Sequence, residues 1–244
     1  MIMKNVSILL KKGGDKALAE SLSNKIKSRI LDTEGDGLTV VFDAKGVSLS
    51  GYNLTYQGDF EGMLRRVTDG RLSHEMLSKA TKKDIDNPKA IDATAGMGED
   101  AFIIAANGYD VILHEQNPVI ALLLKDAIRR AKRQPSLKDI VNRMHVVEGD
   151  SVEILSQRLE PIDLIYLDPM FPGRQKSGLI GKKLQLIQKM ESPCSEECEL
   201  FDAAIQAGPS KIVVKRPLKA PFLAEKRPNY SLDGKAIRYD CYTY

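Results

Sequence analysis

Between Lys89 and Pro217 the chain repeats one pattern: a short apolar run, a polar or glycine-bearing tip, then a stretch with helical spacing. "KAIDATA" runs into "GEDAFIIAANG", "DVILHEQ" into "PVIALLLKDAIRRAKR", and "MHVVEGD" into "SVEILSQRL". "IDLIYLD" then leads through a proline-rich turn to "GLIGKKLQLIQKM" and "EECELFDAAIQAG" before "SKIVVKRP". Strands separated by helices cannot return as hairpins. They pair in parallel, with the helices laid on both faces of the sheet. The repeat therefore predicts an α/β fold with a Rossmann-like sheet, and "AIRYDCYTY" supplies a last strand.

Ahead of the repeat the pattern is different. "NVSILL" reads as a strand, and Leu18, Leu22, Ile26 and Ile30 give the following stretch an amphipathic helical spacing. "GLTVVFD" and "GVSLSGY", joined by Ala44-Lys45-Gly46, read as a hairpin. These elements predict a small α+β unit over roughly the first 60 residues, then a mostly helical polar stretch from Glu61 to Asp86, broken by Asn87-Pro88. The 244 residues, 43% hydrophobic and 28% charged, suffice for a sizeable core. No apolar run has membrane-spanning length, and the N-terminal apolar patch is too short for a signal peptide, so a cytoplasmic location is expected. Cys194, Cys198 and Cys241 have neither a disulfide framework nor metal-ligand spacing, and no metal is expected. Net charge is +3, but 173–244 holds 13 Lys/Arg against 8 Asp/Glu, a basic third compatible with a polyanionic partner.

The first candidate site is "AIDATAGMGED", a strand turning through Gly96 and Gly98 into a helix. Glycines allow close backbone approach, and the helix start offers unpaired N–H groups. The dinucleotide spacing fails at Ala101, and a pyrophosphate here would meet Glu99 and Asp100. Two carboxylates suit a cation, an amine or hydroxyls instead. S-adenosylmethionine carries a sulfonium, an ammonium and a ribose without phosphate, and fits better than NAD. The loop alone fits a plain strand–turn–helix junction equally well. The second strand decides between them. It ends at Glu115-Gln116, about 20 residues on, where an acid can take ribose hydroxyls. The third ends at Asp150-Ser151, able to meet an adenine amine or simply to cap a helix. With Asp92, Gly96 and Gly98, these tips form the expected donor site along one sheet edge.

The fourth strand ends in Asp168-Pro169-Met170-Phe171, which resembles the (Asn/Asp)-Pro-Pro-(Tyr/Phe) motif of methyltransferases acting on exocyclic amines of bases. The lone pair of such an amine is delocalised into the ring. A carboxylate and a backbone carbonyl that accept its N–H groups orient that lone pair and stabilise the developing charge. Proline stiffens the turn, and Phe171 is placed to stack on a base taken out of its helix. Asp168, Pro169 and Phe171 are therefore the catalytic candidates, Asp168 also bordering the donor.

The segments "DATAGMGEDAFIIAANGYDVILHEQNPVIALLL", "YLDPMFPGRQKSGLIGKKLQLIQKM" and "VVKRP" resemble, in the same order, the small-subunit (16S) ribosomal RNA guanine-N2 methyltransferases, the RsmJ family. The resemblance covers Ile91 to Pro217. It implies a class I S-adenosylmethionine-dependent domain, expected over 76–244, behind a small N-terminal α+β domain over 1–75. The family's donor-binding positions fall on Glu99, Asp100, Glu115, Gln116, Asp150, Ser151 and Asp168; the chain departs from the family at Glu99 and Gln116, where the family has arginine, at Asp150, where it has serine, and in "RRVTDGRLSHEMLSKATKK", which replaces a glycine- and arginine-rich segment. The implied substrate is a guanine amine in small-subunit ribosomal RNA. Arg174, Lys176, Lys215 and Arg216 are the expected contacts to its phosphates. The tetrapeptide itself also fits an adenine amine or a protein glutamine, and the fold alone fits an RNA- or nucleotide-binding module without catalysis.

Overall fold

The computed structural model describes residues 6–33, 35, 37–68, 70–158, 160–169 and 197–244. Met170, Phe171, Arg174, Lys176 and the helix expected over 178–190 lie outside the described residues.

The N-terminal unit is a five-stranded mixed sheet with one helix. It comprises β1 (Val6–Leu10), α1 (Lys16–Ile26), β2 (Ile30–Leu31), β3 (Leu38–Asp43), β4 (Gly46–Gly51) and β5 (Leu54–Tyr56), in the order β2-β1-β3-β4-β5. Asp15 caps α1 by accepting the Leu18 N–H, and Lys27 ends it in the left-handed conformation. The helix buries Ala19, Leu22 and Ile26, whereas Leu18 and Ile30 are exposed. A strict spacing of four drifts around a helix of 3.6 residues per turn, and the chain has left the helix before Ile30. The expected hairpin is present, with Asp43 paired to Gly46 across Ala44-Lys45.

The stretch expected to be helical breaks into short pieces: a 3₁₀ turn at Glu61–Met63, α2 (Leu64–Val67), a second 3₁₀ turn at Arg71–His74 and α3 (Met76–Thr81). Gly70 takes a φ of 74° between them and reverses the chain.

The large sheet follows with β6 (Lys89–Asp92), α4 (Glu99–Ala106), β7 (Asp110–Glu115), α5 (Pro118–Ala131), α6 (Pro135–Val141), β8 (Met144–Glu148), α7 (Ser151–Ser156), β9 (Leu164–Leu167), α8 (Glu197–Gln206), β10 (Lys211–Pro217), β11 (Tyr230–Asp233) and β12 (Ile237–Thr243). Its order is β11-β12-β10-β9-β6-β7-β8, with β6 to β10 mutually parallel and β12 antiparallel to both of its neighbours. The sequence pattern anticipated neither α6 nor β11. Pro135 starts α6 as a separate helix, and β11 is a half-exposed edge strand without apolar alternation.

One face of the sheet packs α3, α4 and α6 around Phe102, Ile103 and Tyr109, and the other packs α7 and α8 around Phe201 and Leu155. A third core joins the N-terminal sheet to α5 through Val40, Leu49, Val119, Ile120 and Leu123. Eleven of the fourteen residues of α5 are buried because it serves two cores, Leu124, Ala127 and Ile128 facing the large sheet. Asp126, 4% exposed, locks the junction: it accepts the Val47 N–H at 3.1 Å and pairs with Arg129 and Arg130.

Candidate active site at the sheet edge

From β6 the chain winds outward to β7 and β8 on one side, and returns to β9 and β10 on the other. The strand order reverses between β6 and β9, and at such a switch point the helices diverge and leave a crevice at the carboxyl ends. The tips of β6 and β9 meet there. Asp92 is 1% exposed and accepts the Thr94 N–H at 3.0 Å. The Thr94 hydroxyl in turn accepts the Asp168 N–H at 2.7 Å, so one threonine ties the two tips together. Burial, opposed by the Thr94 N–H and reinforced by Asp100 and Asp168, pushes the Asp92 carboxyl up to about 7.

The glycine loop is held in shape by Glu115. Its carboxylate accepts the Gly96 N–H at 3.0 Å and the Asn117 N–H at 2.7 Å, and Asn117 caps α5 through Val119 and Ile120. Gly96 and Gly98 have φ values of 50° and 75°. A Cβ on Gly98 would stand 2.8 Å from Leu124 Cδ1. Gln116 and Asp150 are exposed on the rim, and Glu99 is exposed in the first turn of α4. Asp150 caps α7 by accepting the Val152 N–H, and the Ser151 hydroxyl donates to the Ala93 carbonyl at 2.6 Å, fastening the third tip to the first.

The centre of the edge is an ion cluster. Lys215 Nζ lies 2.7 Å from Asp100 Oδ2 and 2.8 Å from Asp168 Oδ2. Tyr166 donates its hydroxyl to the same Asp100 oxygen at 2.7 Å. Burial opposes the charge on Lys215, but the two carboxylates outweigh it and hold its pKa above the ordinary lysine value. The register explains the meeting. Val213 pairs with Tyr166 and Val214 with Leu167, so Lys215 follows at the level of Asp168 on the next strand. Pro169 is buried behind the tip.

Lys215 and Arg216, expected as RNA phosphate contacts, have partners inside the protein in this structure. Lys215 is held by Asp100 and Asp168, and Arg216, 4% exposed, pairs with Glu197 at 3.1 Å and donates to the Pro221 carbonyl. A lysine on a strand tip reads as a phosphate ligand until the neighbouring strand is known to end in an acid. Thr94, Tyr166 and Tyr239 were not singled out from the sequence. The signal for Tyr166 was its place two residues ahead of Asp168, on the same side of β9. His114, 2% exposed, is packed with its Nδ1 without a hydrogen-bond partner among the described residues, and burial lowers its pKa to about 4.

The reversed strand order, the antiparallel β12 and the acidic, glycine-bearing rim define a class I methyltransferase fold. A family model described as a putative SAM-dependent methyltransferase matches residues 34–244. The ribosomal RNA small subunit methyltransferase J of Stutzerimonas stutzeri is 43% identical over 172 residues, covering 70% of this chain and 67% of the relative. That of Dechloromonas aromatica is 37% identical over 182 residues, 74% of either chain. For Pseudomonas savastanoi pv. phaseolicola the identity is 42% over 156 residues, and the match spans only 58% of that relative's length. The crystal structure of a SAM-dependent methyltransferase from Neisseria gonorrhoeae superposes with a TM-score of 0.77 at 27% identity, covering 97% of this chain and 95% of that one. The chain belongs to the SAM-dependent methyltransferase family, and within it to the group of ribosomal RNA small subunit methyltransferases J. Among the described residues, no helix is long and apolar enough to cross a membrane.

Proposed function

We propose that this enzyme transfers a methyl group from S-adenosylmethionine to the exocyclic N2 amine of a guanine in small-subunit (16S) ribosomal RNA, in the cytoplasm. The ribosomal RNA assignment rests on the relatives named ribosomal RNA small subunit methyltransferase J. The guanine-N2 assignment rests on the resemblance of the sequence motifs.

The observation that carries the chemistry is Asp168 at the switch point, one oxygen on Lys215 and its backbone N–H on Thr94. When bound, the donor supplies an electrophilic methyl. A carboxylate offers about four acceptor directions, and Lys215 takes one of them. Asp168 accepts a hydrogen bond from the target amine and aims its lone pair at the methyl. It also stabilises the positive charge that grows on nitrogen, which then sheds its proton without needing a strong base. The carbonyl of Pro169 is the second acceptor, and Phe171 stacks on the base. Lys215 positions Asp168. Asp92, Gly96, Gly98, Glu99, Asp100, Glu115, Gln116, Asp150 and Ser151 border the donor. Glu115 meets the ribose hydroxyls, Asp150 and Ser151 face the adenine, and Arg174 and Lys176 hold RNA backbone.

Asp168→Ala tests the reading. Methyl transfer to small-subunit particles should fall by roughly 10²–10³-fold, while S-adenosylmethionine still binds by calorimetry. Turnover within a few fold of wild type would remove Asp168 from the chemistry.

A further inference from the structure

A cavity of about 740 Å³ opens beside the active edge, bounded by the 3₁₀ turns of the N-terminal connecting segment and the start of β12. Arg65, Arg66, Arg71, His74, Glu75 and Tyr239 line it. Arg66 and Glu75 form a two-pronged pair, Nε to Oε1 at 2.8 Å and Nη2 to Oε2 at 2.7 Å, which cancels one charge of each sign and makes a stiff wall. Arg65 and Arg71 remain as the surplus positive charge among the described lining residues. Both are exposed, and Arg71 donates to the Arg65 carbonyl at 3.4 Å, so the reversal at Gly70 brings the two together. His74, also exposed, adds a ring donor.

Tyr239 lines the cavity and pairs across the sheet with Lys215 of the site. The tyrosine is 4% exposed, and burial, with the charges of Asp100 and Asp168, raises the pKa of its hydroxyl. A cationic recess joined to an acidic reaction centre by one buried tyrosine suits a ligand with a phosphate backbone and a neutral base. Guanidinium forks match phosphate oxygens. An enzyme that extracts a base from its strand must also hold the backbone on either side.

We infer that this cavity seats phosphates of the RNA strand next to the target nucleotide, with Arg65 and Arg71 as the phosphate contacts and His74 as a further donor. The inference rests on the RNA reading given above. It adds Arg65 and Arg71 to the candidate phosphate contacts at the edge.

The test is the paired substitution Arg65→Ala, Arg71→Ala in the full chain, measured by binding to small-subunit ribosomal RNA across a salt series, with donor binding measured alongside. Two lost phosphate contacts should weaken RNA binding roughly tenfold to a hundredfold at about 50 mM salt, and lower the salt slope by about 1.5. Donor affinity should stay at the wild-type value. The lysine pair Arg65→Lys, Arg71→Lys keeps charge and should keep most of the slope, which separates charge from folding. If the alanine pair matches wild type in affinity and slope, the cavity does not hold the backbone. If the alanine pair weakens binding without changing the slope, the loss is not electrostatic and the inference also falls. Wild-type enzyme that neither binds nor methylates the RNA would overturn the functional reading itself, and this inference with it.

Discussion

Lys215 and Asp92 shape the chemistry of the edge, and each has a measurable consequence. Lys215 stands between Asp100 and Asp168 with its side chain 16% exposed. Replacing it by methionine would leave two carboxylates facing each other without a cation. Removing one member of a buried ionic group destabilises strongly, so Lys215→Met should cost about 2–4 kcal/mol in urea unfolding. It should also lower turnover on RNA while leaving donor affinity nearly unchanged, and Lys215→Arg should restore part of that turnover. A loss of stability with full turnover would make Lys215 merely structural. Asp92 gives a prediction in pH. Burial raises its carboxyl to about 7 from 3.8, so the folded protein holds this proton more tightly than the unfolded chain does. That contribution is fully present below about pH 4 and is lost as pH rises through about 7. Asp92→Asn keeps an acceptor for the Thr94 N–H and has no proton to lose. Its stability relative to wild type should therefore rise by on the order of 2–3 kcal/mol between about pH 5 and about pH 8. A difference that stays flat with pH would mean Asp92 is ionised at its site.

At the scale of elements, the strand tips and the turns behind them hold the site together. Gly98 combines a left-handed backbone with a Cβ position 2.8 Å from Leu124 Cδ1 on α5. Gly98→Ala should destabilise by roughly 1–3 kcal/mol and weaken donor binding, because the loop would have to back away from α5. Unchanged calorimetric affinity would detach the loop's shape from donor recognition. Most of this layer could be read from the sequence. Each parallel strand was marked by an apolar run, each tip by an acid or glycine, and Glu115 by its distance beyond the loop. What escaped was set by pairing between distant segments. The meeting of Lys215 with Asp168 depends on the β9–β10 register. The division of the mostly helical stretch over 61–86 into short pieces depends on local turns at Thr68 and Gly70 that helical periodicity does not weigh. α1 was found, but its buried face was misjudged, since Ala19 carries the contact that Leu18 was expected to make.

On the scale of the whole molecule, α5 makes the two sheets one cooperative body. Its opposite faces complete separate cores, and Asp126 reaches from it to the Val47 N–H of the N-terminal hairpin. Thermal unfolding should therefore show a single transition by calorimetry. Asp126→Ala, which strands the Val47 N–H and releases Arg129 and Arg130, should lower stability by about 3 kcal/mol. Two resolved transitions in the wild type would mean that α5 does not couple the sheets. The N-terminal sheet thus backs the glycine loop, with Met97 packed into its core, while the connecting segment and β12 shape the cationic cavity on the other flank of the site. Methyl transfer to a guanine amine of small-subunit ribosomal RNA is tested by incubating the enzyme and labelled S-adenosylmethionine with small-subunit particles from a strain lacking this gene, then digesting the RNA and identifying the modified nucleoside. Label should appear in N2-methylguanosine at one position of the small-subunit RNA; label in an adenosine or in protein, or no label at all, would contradict the proposed reaction.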